Sequence, residues 1–332
     1  MSQHHFADRL LKAIDERKTP LIVGLDPVYE NLPASILPDG TTGLVVSQAE
    51  RLAAVEEFSS QILRIAAPHV PAVKINIAYF EVYGSAGVQV YQKLVQKAAD
   101  IGLLVIGDVK RADIGHTAAQ YAKGNLADNH FPDIGVARGP DSVTINPYFG
   151  IDGVAPFLEV AAQQGKGLFI LLRTSNASAG QIQEITAADG RPMFMHVAEL
   201  IEKWGEELIG ESGFSSVGAV VGATSGQAIA QIRRAMPHTI FLIPGLGAQG
   251  GSLSDCLPAF NGRGHGAVIS ASRSIIFAFR EKQYQGVPPD AWTQAVENAL
   301  LTTKKEIGSV LRQTQLPWAE CRSSRRREPQ KT

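Results

Sequence analysis

Short runs of apolar and β-branched residues recur along this chain of 332 residues, and amphipathic stretches separate them. Continuous apolar runs are expected of parallel strands that are buried on both faces. The stretches between them have the apolar spacing of helices packed on a sheet, and such helices make the crossovers that parallel strands require. Eight runs fit this description: residues 21–24, 72–77, 103–109, 142–146, 167–172, 217–221, 239–243 and 267–270.

Eight strand–helix units predict a protein of the α/β class with the (β/α)8 architecture of a TIM barrel. The segment 6–17 precedes the first strand and also has helical spacing, so we expect it to cap the N-terminal end of the barrel. The outer helices are expected at residues 48–66, 88–99, 192–208, 226–234 and 291–312.

The pattern indicates one barrel domain over residues 1–315. Two connections are longer than usual, 26–47 after the first strand and 174–191 after the fifth. Both follow strand C-termini, where barrel active sites are built, and long connections there are often lids or binding loops. A tolerated surface insertion is an equal alternative for the first. Residues 316–332 are polar and basic without periodicity, which predicts a disordered tail.

Composition narrows the function classes. With 45% hydrophobic residues, 19% charged residues and a formal net charge of -1, the chain has no overall field that would attract nucleic acid or an anionic membrane. Cys256 and Cys321 lie far apart without metal-ligand spacing, which suits a reducing cytoplasm better than a disulfide framework or a zinc site. We find neither a signal-peptide core nor an apolar span of about 18 residues. With no overall field, any anionic ligand must be bound by local charges.

The end of the third strand carries the most unusual residues. Asp108 and Lys110 follow an apolar run two residues apart, so they share one face of the strand, and Asp113 comes three residues later. If that face points into the barrel, both charges are buried. Burying charges is costly unless they are paired, so the pattern indicates either a structural ion pair or an active site. The location at a strand C-terminus favours the active site.

A lysine interrupts the second strand in the same way. Lys74 lies within an apolar run, on the same side as Asn76 and close to the C-terminal end of the strand. It is either a lysine that reaches the rim with a buried stem or part of a charged array with Asp108 and Lys110 on the neighbouring strand.

Glycine-rich segments follow the seventh and eighth strands, at residues 243–251 and 270–274. Barrels often bind phosphate at this place through backbone N–H groups, and Arg273 offers a forked donor suited to phosphate oxygens. The glycines at 245, 247 and 250 also match a dinucleotide-binding fingerprint. That fingerprint should open the first βαβ unit, so its late position argues against nicotinamide binding.

These residues together resemble the orotidine 5′-phosphate decarboxylase family, over roughly residues 21–279. The family signature on the third strand is D-x-K-x-x-D-I followed by a threonine, which is Asp108, Lys110, Asp113, Ile114 and Thr117 in this chain. Further matches, in the same order along the chain, are LIVGLDP at the first strand, Lys74 on the second, TSN at 174–176, GAQGG at 247–251 and SRS at 272–274.

The resemblance implies a cofactor-independent and metal-free conversion of orotidine 5′-monophosphate to uridine 5′-monophosphate. It implies that Lys110 protonates a C6 carbanion, and that Asp108, Lys74 and Asp113 complete the catalytic array. The implied substrate-binding residues are Asp26 and Lys74 for the ribose, Ser175 for the pyrimidine, and Gln249 and Arg273 for the phosphate. The family is dimeric, so Asp113 and Thr117 would reach into the active site of the partner in a homodimer.

Two rival functions remain. One is a Mg²⁺-dependent sugar-phosphate lyase or synthase of the same suprafamily, which shares D-x-K-x-x-D. Its metal is held partly by an acidic residue near the end of the second strand, where this chain has Lys74. The other is a non-catalytic phosphonucleotide-binding barrel, which would keep Gln249 and Arg273 while losing the charged array.

Overall fold

The structure, a computed structural model, describes residues 5–38, 46–131, 133, 135–223, 226–245, 252–284, 288 and 291–313. Eight parallel strands close into a barrel in the order β1-β10-β9-β8-β7-β6-β3-β2, and two further strands form a small antiparallel hairpin. The strands are β1 (Leu21–Leu25), β2 (Ala72–Asn76), β3 (Leu104–Arg111), β4 (Asn129–Phe131), β5 (Gly135–Ala137), β6 (Ser142–Ile145), β7 (Gly167–Arg173), β8 (Ser215–Val221), β9 (Thr239–Pro244) and β10 (Ala267–Ala271).

Helices alternate with the barrel strands. They are α1 (Phe6–Arg17), α2 (Gln48–Ala66), α3 (Ala78–Glu81), α4 (Gly84–Asp100), α5 (Gly115–Asn125), α6 (Ile151–Gln164), α7 (Gly180–Gln183), α8 (Met193–Trp204), α9 (Gly226–Ala235), α10 (Arg273–Ile276) and α11 (Trp292–Gln313). Short 3-10 turns lie at Tyr29–Asn31, Glu206–Leu208, Ser254–Ala259, Ala278–Arg280 and Lys282–Tyr284. The prediction of a TIM barrel is confirmed, and each of the eight predicted strands overlaps one strand of the barrel.

Local sequence signals account for the start of α2 and the end of α6. α2 starts with a capping box, in which Ser47 Oγ accepts the Glu50 N–H and the Glu50 carboxylate accepts the Ser47 N–H. At the other end of a helix, Gly165 follows α6 in the left-handed conformation with φ of 63°.

Apolar side chains form two layers of core. The larger layer lies between the strands and the outer helices. The smaller layer fills the inside of the barrel, where Phe6, Leu10 and Ile14 of α1 pack with interior strand residues such as Phe169. The Phe6 and Phe169 rings meet edge to face with centroids 6.0 Å apart. α1 therefore packs against the inside of the barrel at its N-terminal end.

The hairpin β4–β5 differs from the sequence prediction, which had no strand between the third and fourth barrel strands. Its strands have three residues each, and Asn129–Phe131 shows no alternation of apolar and polar positions, so the signal that predicts strands is missing. The tail predicted at 316–332 lies outside the described residues, and the single-domain boundaries stay predictions. Within the part of the chain that the structure describes, no helix is long and apolar enough to cross a membrane.

Candidate active site

Lys74 lies inside the barrel near the C-terminal end of β2 and is buried. Its Nζ is 2.8 Å from Asp108 Oδ2 and 3.8 Å from Asp26 Oδ1. Burial alone would lower the pKa of Lys74, but the two carboxylates outweigh it, so the pKa is raised above its ordinary value of 10.5. Lys74 is therefore a fixed ammonium held between two strands.

Asp108 is the centre of the array. Its Oδ2 accepts a hydrogen bond from Lys74, and its Oδ1 accepts one from Lys110 Nζ and one from Thr144 Oγ1 at 2.8 Å. Burial by itself raises the pKa of Asp108, but the ammonium groups of Lys74 and Lys110 lower it far more, and the net pKa lies well below 3.8. Asp108 is a carboxylate across the physiological pH range.

Lys110 is held in an unusual backbone conformation, with φ of 46°. Between Gly107 and Arg111 the pairing of β3 with β6 is irregular: Gly107 pairs with Val143, but Arg111 pairs with Ile145. This bulge puts two extra residues into β3 and changes the direction of the side chains at its C-terminal end. The Lys110 side chain is half exposed, so its ammonium faces the open mouth of the barrel while it contacts Asp108.

Two buried oxygen atoms near this array have no hydrogen-bond partner within the described residues. They are Asp26 Oδ1, which follows β1, and Ser272 Oγ, which follows β10. The two segments are close because β1 and β10 are paired and Gly24 has no side chain; a Cβ there would lie 2.8 Å from Ser272 Cβ. Buried polar atoms are normally hydrogen-bonded, so these oxygens are available to a ligand at the mouth.

Ser175 is placed by the loop after β7, which folds back on itself. Gln183 of α7 accepts the Thr174 N–H at 2.9 Å and donates to Thr174 Oγ1 at 2.8 Å. On the other side, Gly222 lies against Ser175, and a Cβ at Gly222 would be 2.9 Å from the Ser175 backbone nitrogen. Ser175 therefore lies at the same end of the barrel as the charged array.

Arg273 begins α10 directly after β10, and its side chain is exposed. Tyr79 of α3 is close enough to this arginine and to the array for their charges to act on its hydroxyl. Burial and Asp26 raise the pKa of Tyr79, against the opposing charges of Arg273 and Lys74. Tyr79 thus belongs to the surroundings of the site although no feature of the sequence pattern pointed to it. Gln249, the other predicted phosphate ligand, lies outside the described residues.

Asp113 and Thr117 are not brought to the array of their own chain. The Asp113 carboxylate accepts the N–H of Ile114 at 2.8 Å, and no hydrogen bond or ion pair between described residues joins it to Asp108 or Lys110. Thr117 lies on the exposed side of α5. The remaining described candidates, Asp26, Lys74, Asp108, Lys110, Ser175 and Arg273, share the C-terminal end of the barrel.

Thr144 is a site residue that the sequence reasoning missed. It is buried on β6, its hydroxyl donates to Asp108, and it accepts the backbone N–H of Lys110 at 3.0 Å. A signal was present, because Thr144 is a polar residue between Val143 and Ile145 and shares the side of Asn146.

The chemistry available to this arrangement is electrostatic. Two ammonium groups and a carboxylate alternate beside unpartnered acceptors at an open mouth, and fixed charges of this kind stabilise a charge that develops on a bound molecule. Among the described residues, no group of three or more His, Cys, Asp or Glu side chains could hold a metal ion.

Comparison with known proteins shows the family to which this chain belongs. Residues 19–283 match the model of the orotidine 5′-phosphate decarboxylase / HUMPS family. The chain is 37% identical over 303 residues to the orotidine 5′-phosphate decarboxylase of Rhodopirellula baltica, covering 91% of this chain and 98% of that protein. It is 34% identical to the enzyme of the same name from Caldicellulosiruptor saccharolyticus, covering 83% and 90%. The solved OMP decarboxylase of Leishmania donovani superposes with a TM-score of 0.68 at 26% identity, covering 92% and 98%.

Proposed function

The chain belongs to the orotidine 5′-phosphate decarboxylase / HUMPS family, and on that premise we propose that it decarboxylates orotidine 5′-monophosphate to uridine 5′-monophosphate, the last step of de novo pyrimidine biosynthesis. The observation that carries the proposal is the hydrogen-bonded row of Lys74, Asp108 and Lys110 at the C-terminal end of the barrel. Relatives that bear the decarboxylase name are similar to this protein over most of the chain.

The reaction breaks the bond between C6 and the carboxylate, and the electron pair of that bond stays on C6 as carbon dioxide leaves. The ammonium of Lys110 lies close to this carbon, stabilises the negative charge and transfers a proton to C6. Lys110 then regains a proton from solvent. Asp108 orients the ammonium and, as an ionised group, repels the departing carboxylate in the ground state.

The remaining side chains bind the substrate. Asp26 accepts a hydrogen bond from a ribose hydroxyl, Lys74 donates one to a ribose hydroxyl, and Ser175 contacts the pyrimidine. Arg273 and Gln249 hold the 5′-phosphate. Asp26 Oδ1 has no hydrogen-bond donor among the described residues, and this supports the assignment, since a ribose hydroxyl would supply the donor.

The activity is tested by following the absorbance of orotidine 5′-monophosphate with the wild-type protein, Lys110→Ala and Lys110→Arg. We expect turnover by the wild type and a loss of about 10⁴-fold or more in Lys110→Ala, because a charge and a proton donor are both removed. Lys110→Arg keeps the charge but holds its proton too tightly to deliver it, so it should also be inactive. No turnover by the wild type, or undiminished turnover by Lys110→Ala, contradicts the proposal.

The same assay separates the Mg²⁺-dependent lyase. Turnover should be the same after treatment with EDTA and after addition of Mg²⁺, since the ammonium of Lys74 repels a divalent cation. Activity that EDTA removes and Mg²⁺ restores would favour the lyase chemistry.

We further propose a homodimer with shared active sites. Exposed apolar side chains lie on the segments next to Asp113 and Thr117, on α5 and at the start of α6, which pack together. They are Ile114, Tyr121, Tyr148, Phe149 and Ile151. Tyr148 is 79% exposed, and the loop that carries Asp113 packs closely on α6, where a Cβ at Gly153 would lie 2.9 Å from the Asp113 carbonyl oxygen. Large exposed apolar patches mark interaction sites, and a self-complementary patch would carry Asp113 across to the partner.

Subunit mixing tests the shared site. Lys110→Ala and Asp113→Ala should each be inactive, but the mixed dimer contains one site with both native residues. Equal mixing should therefore restore about one quarter of the wild-type activity. Mixtures that stay inactive although the subunits exchange would show that Asp113 does not act across an interface, and a monomer in sedimentation would exclude the dimer.

A cytoplasmic location is also proposed. Cys256, the cysteine that the structure describes, is a buried free thiol, which suits a reducing compartment. Cell fractionation should recover the activity with cytoplasmic enzymes, and recovery with membranes would contradict it.

A further inference from the structure

The hydroxyl of Thr144 joins two parts of the array that the other contacts leave separate. It accepts the backbone N–H of Lys110 at 3.0 Å and donates its proton to Asp108 Oδ1 at 2.8 Å. A hydroxyl has one proton and two lone pairs, so it makes both hydrogen bonds at once. One side chain on β6 therefore holds both the backbone of Lys110 and the carboxylate that its ammonium contacts.

The backbone of Lys110 requires such a support. A non-glycine residue with φ of 46° lies in the left-handed region, which costs about 1–2 kcal/mol for an L-residue. The conformation occurs within the bulge where β3 carries two more residues than β6, so the regular pairing is interrupted there. Strained backbone of this kind persists only where its surroundings hold it. Here the Lys110 N–H bonds to a side chain instead of to a carbonyl of β6.

The Thr144 side chain is itself held rigidly. It is buried, and as a β-branched residue on a strand it has few rotamers. On the adjacent strand β7, Thr144 pairs with Phe169. The Phe169 side chain packs in the barrel interior. The hydroxyl is therefore presented to the bulge by a rigid element of the barrel.

We propose that Thr144 is a positioning residue for the decarboxylation: its hydroxyl holds Lys110 in the left-handed conformation and keeps Asp108 Oδ1 directed at the Lys110 ammonium. The inference rests on the proposed function. Thr144 acts through Lys110 and Asp108, and without it the proton donor would lie out of line with C6. Misplacing a reacting group by about 1 Å can cost on the order of 100-fold in rate.

Thr144→Val and Thr144→Ser test the hydroxyl directly. Valine has the same shape without the hydroxyl, so kcat should fall about 10- to 100-fold with KM changed less than about threefold. Serine keeps the hydroxyl and should retain kcat within about threefold of the wild type. If the valine variant does not fold, Thr144→Ala replaces it in the comparison. Full kcat without the hydroxyl, or a serine variant as slow as the valine one, would overturn the proposal.

Hydrogen exchange of the Lys110 amide gives a second readout that does not depend on turnover. The amide should exchange slowly in the wild type and in Thr144→Ser, and fast in Thr144→Val, while amides of the other barrel strands are unchanged. Equal exchange in all three proteins would overturn the positioning role. If the wild type failed to decarboxylate orotidine 5′-monophosphate, the proposed function would fall, but the exchange rates would still decide whether Thr144 holds Lys110.

Discussion

Buried charged side chains lie at both ends of the barrel, and their partners differ. At the N-terminal end, Asp141 accepts hydrogen bonds from Arg9 at 2.6 Å and from the Val105 N–H at 2.8 Å. At the C-terminal end, Asp108 accepts bonds from two lysines and a threonine, beside an Asp26 oxygen that has no hydrogen bond among the described residues. The first carboxylate ties a helix to a strand, whereas the second orders charges that face an open mouth.

Two buried lysines show the same contrast. Lys166 donates to Asp128 at 2.8 Å and to the carbonyl oxygens of Gly139 and Pro140, both at 3.1 Å. Burial lowers its pKa, and the carboxylates of Asp128 and Asp141 do not compensate for the lost water. Lys74 also lies beside two carboxylates, Asp108 and Asp26, but there the carboxylates outweigh burial and its pKa is raised. The barrel thus stabilises the charged form of a lysine at the mouth and disfavours it at the opposite end.

The difference between the two ends separates charged residues that stabilise the fold from charged residues that act on a bound molecule. Residues at the N-terminal end of barrel strands are usually structural, whereas those at the C-terminal end form the active site. The chemically identical changes Asp108→Asn and Asp141→Asn therefore ought to have separate consequences, one on rate and one on stability.

The largest effect is expected from Asp108→Asn. An amide cannot hold the ammonium groups of Lys74 and Lys110 in place by charge, so kcat should fall about 10³-fold at saturating orotidine 5′-monophosphate. Steady-state kinetics on purified, folded protein measure this. If Asp108→Asn kept kcat within about tenfold of the wild type, Asp108 would be a structural residue like Asp141.

Asp141→Asn should affect stability instead. Arg9 is partly exposed and also donates to the Gly165 carbonyl oxygen, so the loss of the Asp141 charge weakens one charge-assisted hydrogen bond, and the free energy of unfolding should fall by about 2 kcal/mol. The kcat of the folded variant should stay within about twofold of the wild type, because Asp141 lies at the far end of the barrel. Urea unfolding and steady-state kinetics on the same preparation check both values. A loss of rate without a loss of stability would remove the distinction between the two ends.

The barrel strands could be predicted from the chain because the signal is local. Parallel strands buried on both faces are continuous apolar runs, so the predicted and observed bounds of β7, 167–172 and Gly167–Arg173, differ by one residue. The hairpin β4–β5 lacks such a run. The same local alternation placed Asp108 and Lys110 on one face, and in the structure their side chains are hydrogen-bonded.

The contacts of Thr144 and Tyr79 could not be predicted in this way. Alternation shows which face a residue takes, but the partner across the sheet depends on register, and the bulge in β3 shifts that register at Lys110. Tyr79 reaches the site from α3, a helix of four residues that is too short for a periodic pattern. The catalytic and substrate-binding roles stay predictions, and so does the role of Asp113 in the active site of a second subunit.

The smallest effect is a difference in pH dependence between the two lysines. The pKa of Lys74 is raised in the folded protein, so its stabilisation is complete below 10.5 and is lost as pH rises through the folded value. The pKa of Lys166 is lowered, so its charged form costs stability at low pH, and this cost is relieved as pH rises towards 10.5. Relative to Lys74→Met, the wild type should therefore lose stability at alkaline pH, and relative to Lys166→Met it should gain stability. Either slope is limited to about 1.4 kcal/mol per pH unit, and urea unfolding from about pH 8 to about pH 12 measures both. Slopes of the same sign would show that the two ends of the barrel treat a buried ammonium alike.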